Sequence, residues 1–90
     1  MYLLVRNRVK DYGVWYTYFV SEKPAALEYG LTVEHLWSEE NNPNNVFFLF
    51  AIESKEKALA FMDRPESVDV GEKSGVLDGE YYFLESAPTT

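Results

Sequence analysis

His35 and Asn7 are the two side chains of this chain best suited to chemistry. His35 is the only histidine and stands between Val33 and Trp37 on an otherwise apolar alternation. Imidazoles titrate near neutrality, so a histidine in a dry cleft can act as a general base. The plainer reading is a half-buried histidine satisfied by one hydrogen bond, and Glu34, on the opposite strand face, offers it no orienting partner. Asn7 is polar between Val5 and Val9. Its carboxamide can orient a substrate carbonyl or a quinone-like ring, or it can serve backbone groups near a strand end. If the odd positions of the first two strands face the same way, Asn7, His35 and Trp37 meet across the sheet.

A second candidate feature is aromatic. Tyr12, Trp15, Tyr16 and Phe19 fall at i, i+3, i+4 and i+7, one helical stripe. Such a stripe is most often plain core; otherwise it walls a pocket for a planar ligand, with tyrosine hydroxyls at 16 and 18 seeking partners. Arg6, Arg8 and Lys10 supply three of the eight basic residues. They suit an anionic ligand or, more simply, acids such as Glu80 or Glu85 on a neighbouring strand or across a dimer. The five glycines, at 13, 30, 71, 75 and 79, form no phosphate-cradling loop. No Gly-x-Ser-x-Gly elbow, EF-hand spacing or HExxH motif occurs. Glu39-Glu40, beside the asparagine loop, could hold a hard cation, but no motif supports a site there, and neither a metal nor a cofactor is expected.

The elements that must position these groups follow from periodicity. Tyr2–Val9 alternates as a strand, with Leu3, Val5, Asn7 and Val9 on one face. Asp11 is an N-cap for the aromatic helix, which Pro24 should break near Ser21–Lys23 before Gly30 stops it. Leu31–Ser38 reads as a second strand, with Leu31, Val33, His35 and Trp37 sharing a face. The run Asn41-Asn42-Pro43-Asn44-Asn45 signals a hairpin turn into Val46–Ile52, apolar at every position and hence buried on both faces. Ser54 caps a second helix carrying Ala58, Leu59, Phe61 and Met62. Arg64-Pro65-Glu66 interrupts it, a short further turn runs to Lys73, Gly75 ends that turn, and Glu80–Glu85 is the last strand. The order βαββαβ, with right-handed crossovers, gives an α+β ferredoxin-like domain: a four-stranded antiparallel sheet with helices on one face. Phe47 and Leu49 point opposite to Phe48 and Phe50, and two helices cover only one set. A second copy packed sheet to sheet, a homodimer, would cover the other.

Composition narrows the partners. Ninety residues make a single domain, 1–90, which by itself buries only roughly 60–65% of its unfolded surface. Fifteen acids against eight bases give a net charge of −7, which repels a phosphate backbone and makes nucleic acid a poor partner. The absence of cysteine removes disulfides, thiolate metal sites and a cysteine nucleophile. Arg6, Arg8, Lys10 and Asp11 follow Met1–Val5 too closely for a signal peptide, and no apolar stretch is long enough to span a membrane. A cytoplasmic protein with a frayed tail at Ala87–Thr90 is expected.

Several segments together resemble the dimeric α/β-barrel superfamily: Val9-Lys10-Asp11-Tyr12-x-x-Trp15, Asn42-Pro43-Asn44, Lys57-Ala58-x-Ala60-Phe61 and Gly75-Val76. The similarity covers roughly residues 3–85, and its motifs are structural. The nearest look-alikes are small bacterial stress-responsive or cyclase-like proteins, and the superfamily also holds antibiotic-biosynthesis monooxygenases and haem-degrading enzymes. The resemblance implies a homodimer whose sheets form a shared barrel, and a ligand cleft between helices and sheet. Members of this kind often carry a histidine where this chain has Asn7. The haem-degrading members pair a first-strand asparagine with a tryptophan and a histidine, and Lys55–Lys73 contains neither, which argues against haem. The expected function is binding of an aromatic or carbonyl-containing small molecule, extending to cofactor-independent oxygenation, isomerisation or cyclisation. Asn7 and His35 would be the catalytic groups, and Trp37, Trp15, Tyr16 and Tyr12 the ligand-binding ones. The alternative is a non-catalytic association or sensor module whose cleft is filled by side chains.

Overall fold

Alternating apolar positions along Tyr2–Val9 form the first strand, β1. In the computed structural model, which describes residues 1–89, there follow α1 (Tyr12–Glu28), β2 (Leu31–Glu39), β3 (Asn42–Ile52), α2 (Lys55–Met62), α3 (Pro65–Lys73) and β4 (Val76–Leu84). Thr90, the end of the expected frayed tail, lies outside the described residues. The four strands make one sheet in the order β2-β3-β1-β4, and every neighbouring pair is antiparallel. This is the ferredoxin-like arrangement that the element order demands.

Local chemistry sets most of the boundaries. Asp11 Oδ2 accepts the Val14 N–H at 3.0 Å, and Ser54 Oγ accepts that of Lys57 at 3.1 Å, so both expected caps form. Asn44 adds a clamp from the neighbouring strand: its Oδ1 accepts the Tyr12 N–H at 2.9 Å while its Nδ2 donates to the Lys10 carbonyl at 3.3 Å. The start of α1 is thereby fixed to β3. Pro65 opens α3 at a position where its missing N–H costs nothing. Gly30 and Gly75 end helices with φ of +77° and +84°.

Three boundaries differ from the sequence reading. The break expected near Ser21–Lys23 does not occur, and α1 runs continuously through Pro24. The carbonyl that Pro24 leaves unpaired belongs to Val20, which is exposed and can bond water, while Trp15 and Ala26 anchor the helix on either side of it. The hairpin turn is only Glu40-Asn41, and β3 begins at Asn42. Pro43 can lie in the strand because it has no Cα partner in either neighbour. Finally, β4 begins at Val76 and passes through Gly79 rather than starting at Glu80.

The core lies between the helices and one sheet face. Leu3, Val9, Val46, Phe48, Phe50 and Ile52 point into it from the sheet, and Trp15, Ala26 and Ala58 from the helices. The other face carries Tyr2, Trp37, Tyr82 and Leu84, which are 40%, 47%, 52% and 39% exposed, beside half-buried Leu4, Phe47 and Leu49.

Candidate functional site

β2 decides which residues reach the core side. Val33 lies opposite Phe50, but His35 lies opposite Leu49, so the register slips by one residue at Glu34. A slip of one residue exchanges the faces of everything beyond it. The result puts Leu36 opposite Phe48 and against the core, and turns His35 and Trp37 to the helix-free face. Leucine gains more from that burial than an imidazole would, which explains why Leu31, Val33 and Leu36, rather than a strict alternation, form the inward set. His35 and Trp37 stack on each other with ring centroids 4.9 Å apart and planes at 15°. Trp37 stands opposite Phe47, which stands opposite Arg6.

Asn7 faces the other way. It pairs with Val46 on one side and Gly79 on the other, so it points under the helices. The meeting of Asn7 with His35 and Trp37, conditional on their facing the same way, therefore does not take place: they lie on opposite faces of the sheet.

Under the helices lies a cleft of about 390 Å³. Its floor is Leu3, Val5 and Asn7 of β1 with Phe48 and Phe50 of β3, and Asn7 is half-buried and open to it. Trp15, Tyr18, Phe19, Glu22 and Ala26 of α1 form one wall. Phe61 and Met62 of α2 and the inner side of α3 form the other, and Tyr81 of β4 stands at the edge. The lining is overwhelmingly apolar with few polar groups, the usual make-up of a small-molecule site.

The wall of α1 follows from its continuity through Pro24. Residues 15, 18, 19, 22 and 26 recur at the spacing of one face of an unbroken helix. An expected break at 21–23 separates residues 22 and 26 from that stripe, while the spacing from Tyr12 points to Tyr12 and Tyr16. These two stack on each other at 5.7 Å outside the cleft lining, with Tyr16 41% exposed. Trp15 is 3% exposed and stacks on Phe19 at 4.8 Å; both rings contact Phe48, at 5.7 and 5.1 Å. Phe19 and Tyr18, noted with the aromatic stripe but not among the expected ligand-binding residues, are thus wall residues, and so is Tyr81, which the sequence reading did not assign. For the first two the signal is the i, i+3, i+4 spacing from Trp15.

The two walls are tied by Arg64. Its guanidinium donates to Glu22 Oε1 at 2.9 Å, to Ser67 Oγ at 3.0 Å and to the Phe61 carbonyl at 3.4 Å. It also lies over the Phe61 ring, 4.5 Å from the centroid. Planar stacking with forked donation is the particular ability of arginine. The remaining arginines serve the helix-free face: Arg6 Nε donates to Glu80 Oε1 at 2.7 Å and Arg8 Nη2 to Asp78 Oδ2 at 2.6 Å. The hydrogen bond from Arg8 holds the Asp78 carboxyl below its ordinary value. Acidic partners on a neighbouring strand, Glu80 among them, were the simpler expectation for these bases.

No protein-family profile matches the chain, and no curated protein does. Solved structures match along its whole length. An antibiotic biosynthesis monooxygenase aligns with a TM-score of 0.75 at 8% identity, over 97% of this chain and 98% of its own. SnoaB, a cofactor-independent oxygenase from Streptomyces nogalater, gives 0.71 at 8% identity over 99% and 96%. An uncharacterized NIPSNAP domain protein from Burkholderia xenovorans gives 0.67 at 15% identity over 100% and 98%. At such identities the likeness is one of fold. Strand order, helices on one face and these alignments agree: the chain has the ferredoxin-like fold of antibiotic biosynthesis monooxygenase-type domains.

Proposed function

We propose that this protein binds a planar aromatic or carbonyl-containing small molecule in the cleft beneath its helices, with the Asn7 carboxamide as the polar anchor. The observation that carries the reading is the cleft itself. About 390 Å³ of apolar space opens onto a polar side chain in its floor, whereas a pure association module would fill that space with side chains. Phe19, half-buried with Trp15 packed against it, presents an aromatic wall to a flat ligand, and the Asn7 amide can donate to a carbonyl or phenolate oxygen. The fold shared with a cofactor-independent oxygenase extends the reading to chemistry. An electron-rich substrate held there would supply its own electrons to O₂; a ring CH₂ then becomes C=O, and the second oxygen atom leaves as water. Isomerisation or cyclisation of a similar ligand needs the same orientation.

A homodimer is part of the proposal. The helix-free face carries Tyr2, Trp37, Tyr82 and Leu84, which a second copy would cover sheet to sheet. His35 would then belong to the interface rather than to the cleft.

Replacing Trp37 by Phe leaves Trp15, in the cleft, as the sole tryptophan reporter. Titration with phenols, quinones and flavins should change its fluorescence saturably for at least one class. Asn7→Leu should weaken that binding by roughly 3–10-fold, the loss of one hydrogen bond. No response to any of these ligands would overturn the proposal in favour of the association module.

A further inference from the structure

Gly71 lies inside α3, yet none of the usual reasons for a helical glycine applies to it. It is not the helix stop, because Gly75 has the left-handed backbone that ends α3. Nor does a neighbour press on it: a methyl group built at 71 would meet nothing within 4 Å. Glycine within a helix is less stable than alanine because it loses more backbone freedom on folding. A position with room for a side chain and a penalty for lacking one calls for another explanation. Gly71 lines the cleft, one residue along from Val70 and four from Ser67, both of which also line it. Ser67, Val70, Gly71 and Ser74 recur at i, i+3, i+4 and i+7, the face of α3 that lines the cleft, so the open space beside residue 71 is on the cleft side.

We infer that Gly71 sets the width of ligand the cleft admits, by leaving open the space that any larger residue would fill. This rests on the ligand-binding reading above and adds a steric limit at one named position, felt by wide ligands before narrow ones. A single phenol ring, held between Asn7 and the Trp15 wall, does not need the added width. A fused system of three rings does.

The test compares Gly71→Ala and Gly71→Leu with the parent, all in the Trp37→Phe background, using phenol, 2-naphthol and 2-hydroxyanthracene as probes. Gly71→Ala should raise Tm by about 2–8 °C, as expected where glycine serves no structural purpose. Gly71→Leu should weaken 2-hydroxyanthracene binding by roughly tenfold or more while leaving phenol within about threefold, since the cost is steric and confined to the wider ligand. A lowered Tm for Gly71→Ala would show that the glycine is structural, and would overturn the inference whether or not any ligand binds. Equal weakening of all three probes, or none, would overturn it with the ligand-binding reading intact. A parent that binds none of the three, while Gly71→Ala is stabilised, would instead remove the binding reading and the inference with it.

Discussion

Asn7 and Gly79 stand opposite each other across the β1–β4 ladder, and the Asn7 carboxamide occupies the space that a side chain at 79 would take. A methyl group on residue 79 would lie 2.5 Å from Asn7 Oδ1 and closer still to the Arg6 carbonyl oxygen. The absence of a side chain in one strand is thus what lets the polar residue of the next lie flat in the cleft floor. Gly79→Ala should cost about 1–3 kcal/mol, an overpacking penalty, and displace Asn7. Urea unfolding gives the first quantity. Ligand titration by Trp15 fluorescence gives the second, with a loss matching that of Asn7→Leu. A stable Gly79→Ala protein with unaltered binding would show that the pairing does not position the amide.

Arg64 is the mechanical link between the cleft walls. Its side chain is 14% exposed and that of its partner Glu22 is 25%, so screening by water is incomplete. Arg64→Ala should destabilise by about 1–2 kcal/mol, lowering Tm by roughly 4–16 °C. Arg64→Lys should recover little, because a lysine keeps the charge without the fork or the stacking plane. A double-mutant cycle with Glu22→Gln that returned no coupling would reduce the pair to a bystander.

Acid should weaken the ion pair between Arg8 and Asp78 on the helix-free face. The Asp78 carboxyl is held below its ordinary 3.8, chiefly by the hydrogen bond from Arg8. A group whose folded value is depressed stabilises the fold above its unfolded value, and that contribution disappears as pH falls through the folded one. Urea midpoints should therefore fall as pH drops below about 4, and less steeply in Asp78→Asn than in the parent. Because the groups are solvent-exposed, 1 M salt should shrink the difference. Parallel pH curves for the two proteins would argue that the ion pair adds nothing to stability.

Sheet-to-sheet pairing makes a prediction about Trp37 and Tyr82. A standard interface buries roughly 800 Å² per partner, and a charge introduced at its apolar centre is not repaid. Sedimentation should find the parent dimeric at micromolar concentration, and Trp37→Glu and Tyr82→Glu monomeric. Tyr16→Glu, on the exposed side of α1, should leave the assembly unchanged. A monomeric parent would refute the pairing.

Much of the architecture was legible without coordinates because it depends on local rules. The cap oxygens of Asp11 and Ser54, the stops at Gly30 and Gly75 and the restart at Pro65 each act within a few residues of themselves. The element order then leaves few compact topologies. Even the pairing of Arg6 with Glu80 was foreseeable, from the need of a surface base for an acid on the next strand. What sequence periodicity could not supply was phase. The slip at Glu34 arises because Phe48 of β3 is better covered by Leu36 than by His35, a comparison that exists only once the two strands lie side by side. Likewise α1 survives Pro24 because Trp15 and Ala26 are held on both sides of it by the core, and only then do residues 22 and 26 line up with Trp15, Tyr18 and Phe19. Sequence determined which elements form and in what order; tertiary packing decided which face each side chain takes, and so placed Asn7 in the cleft and His35 outside it. The physical reason is that a single-residue shift is nearly free locally but moves whole side chains between oil and water.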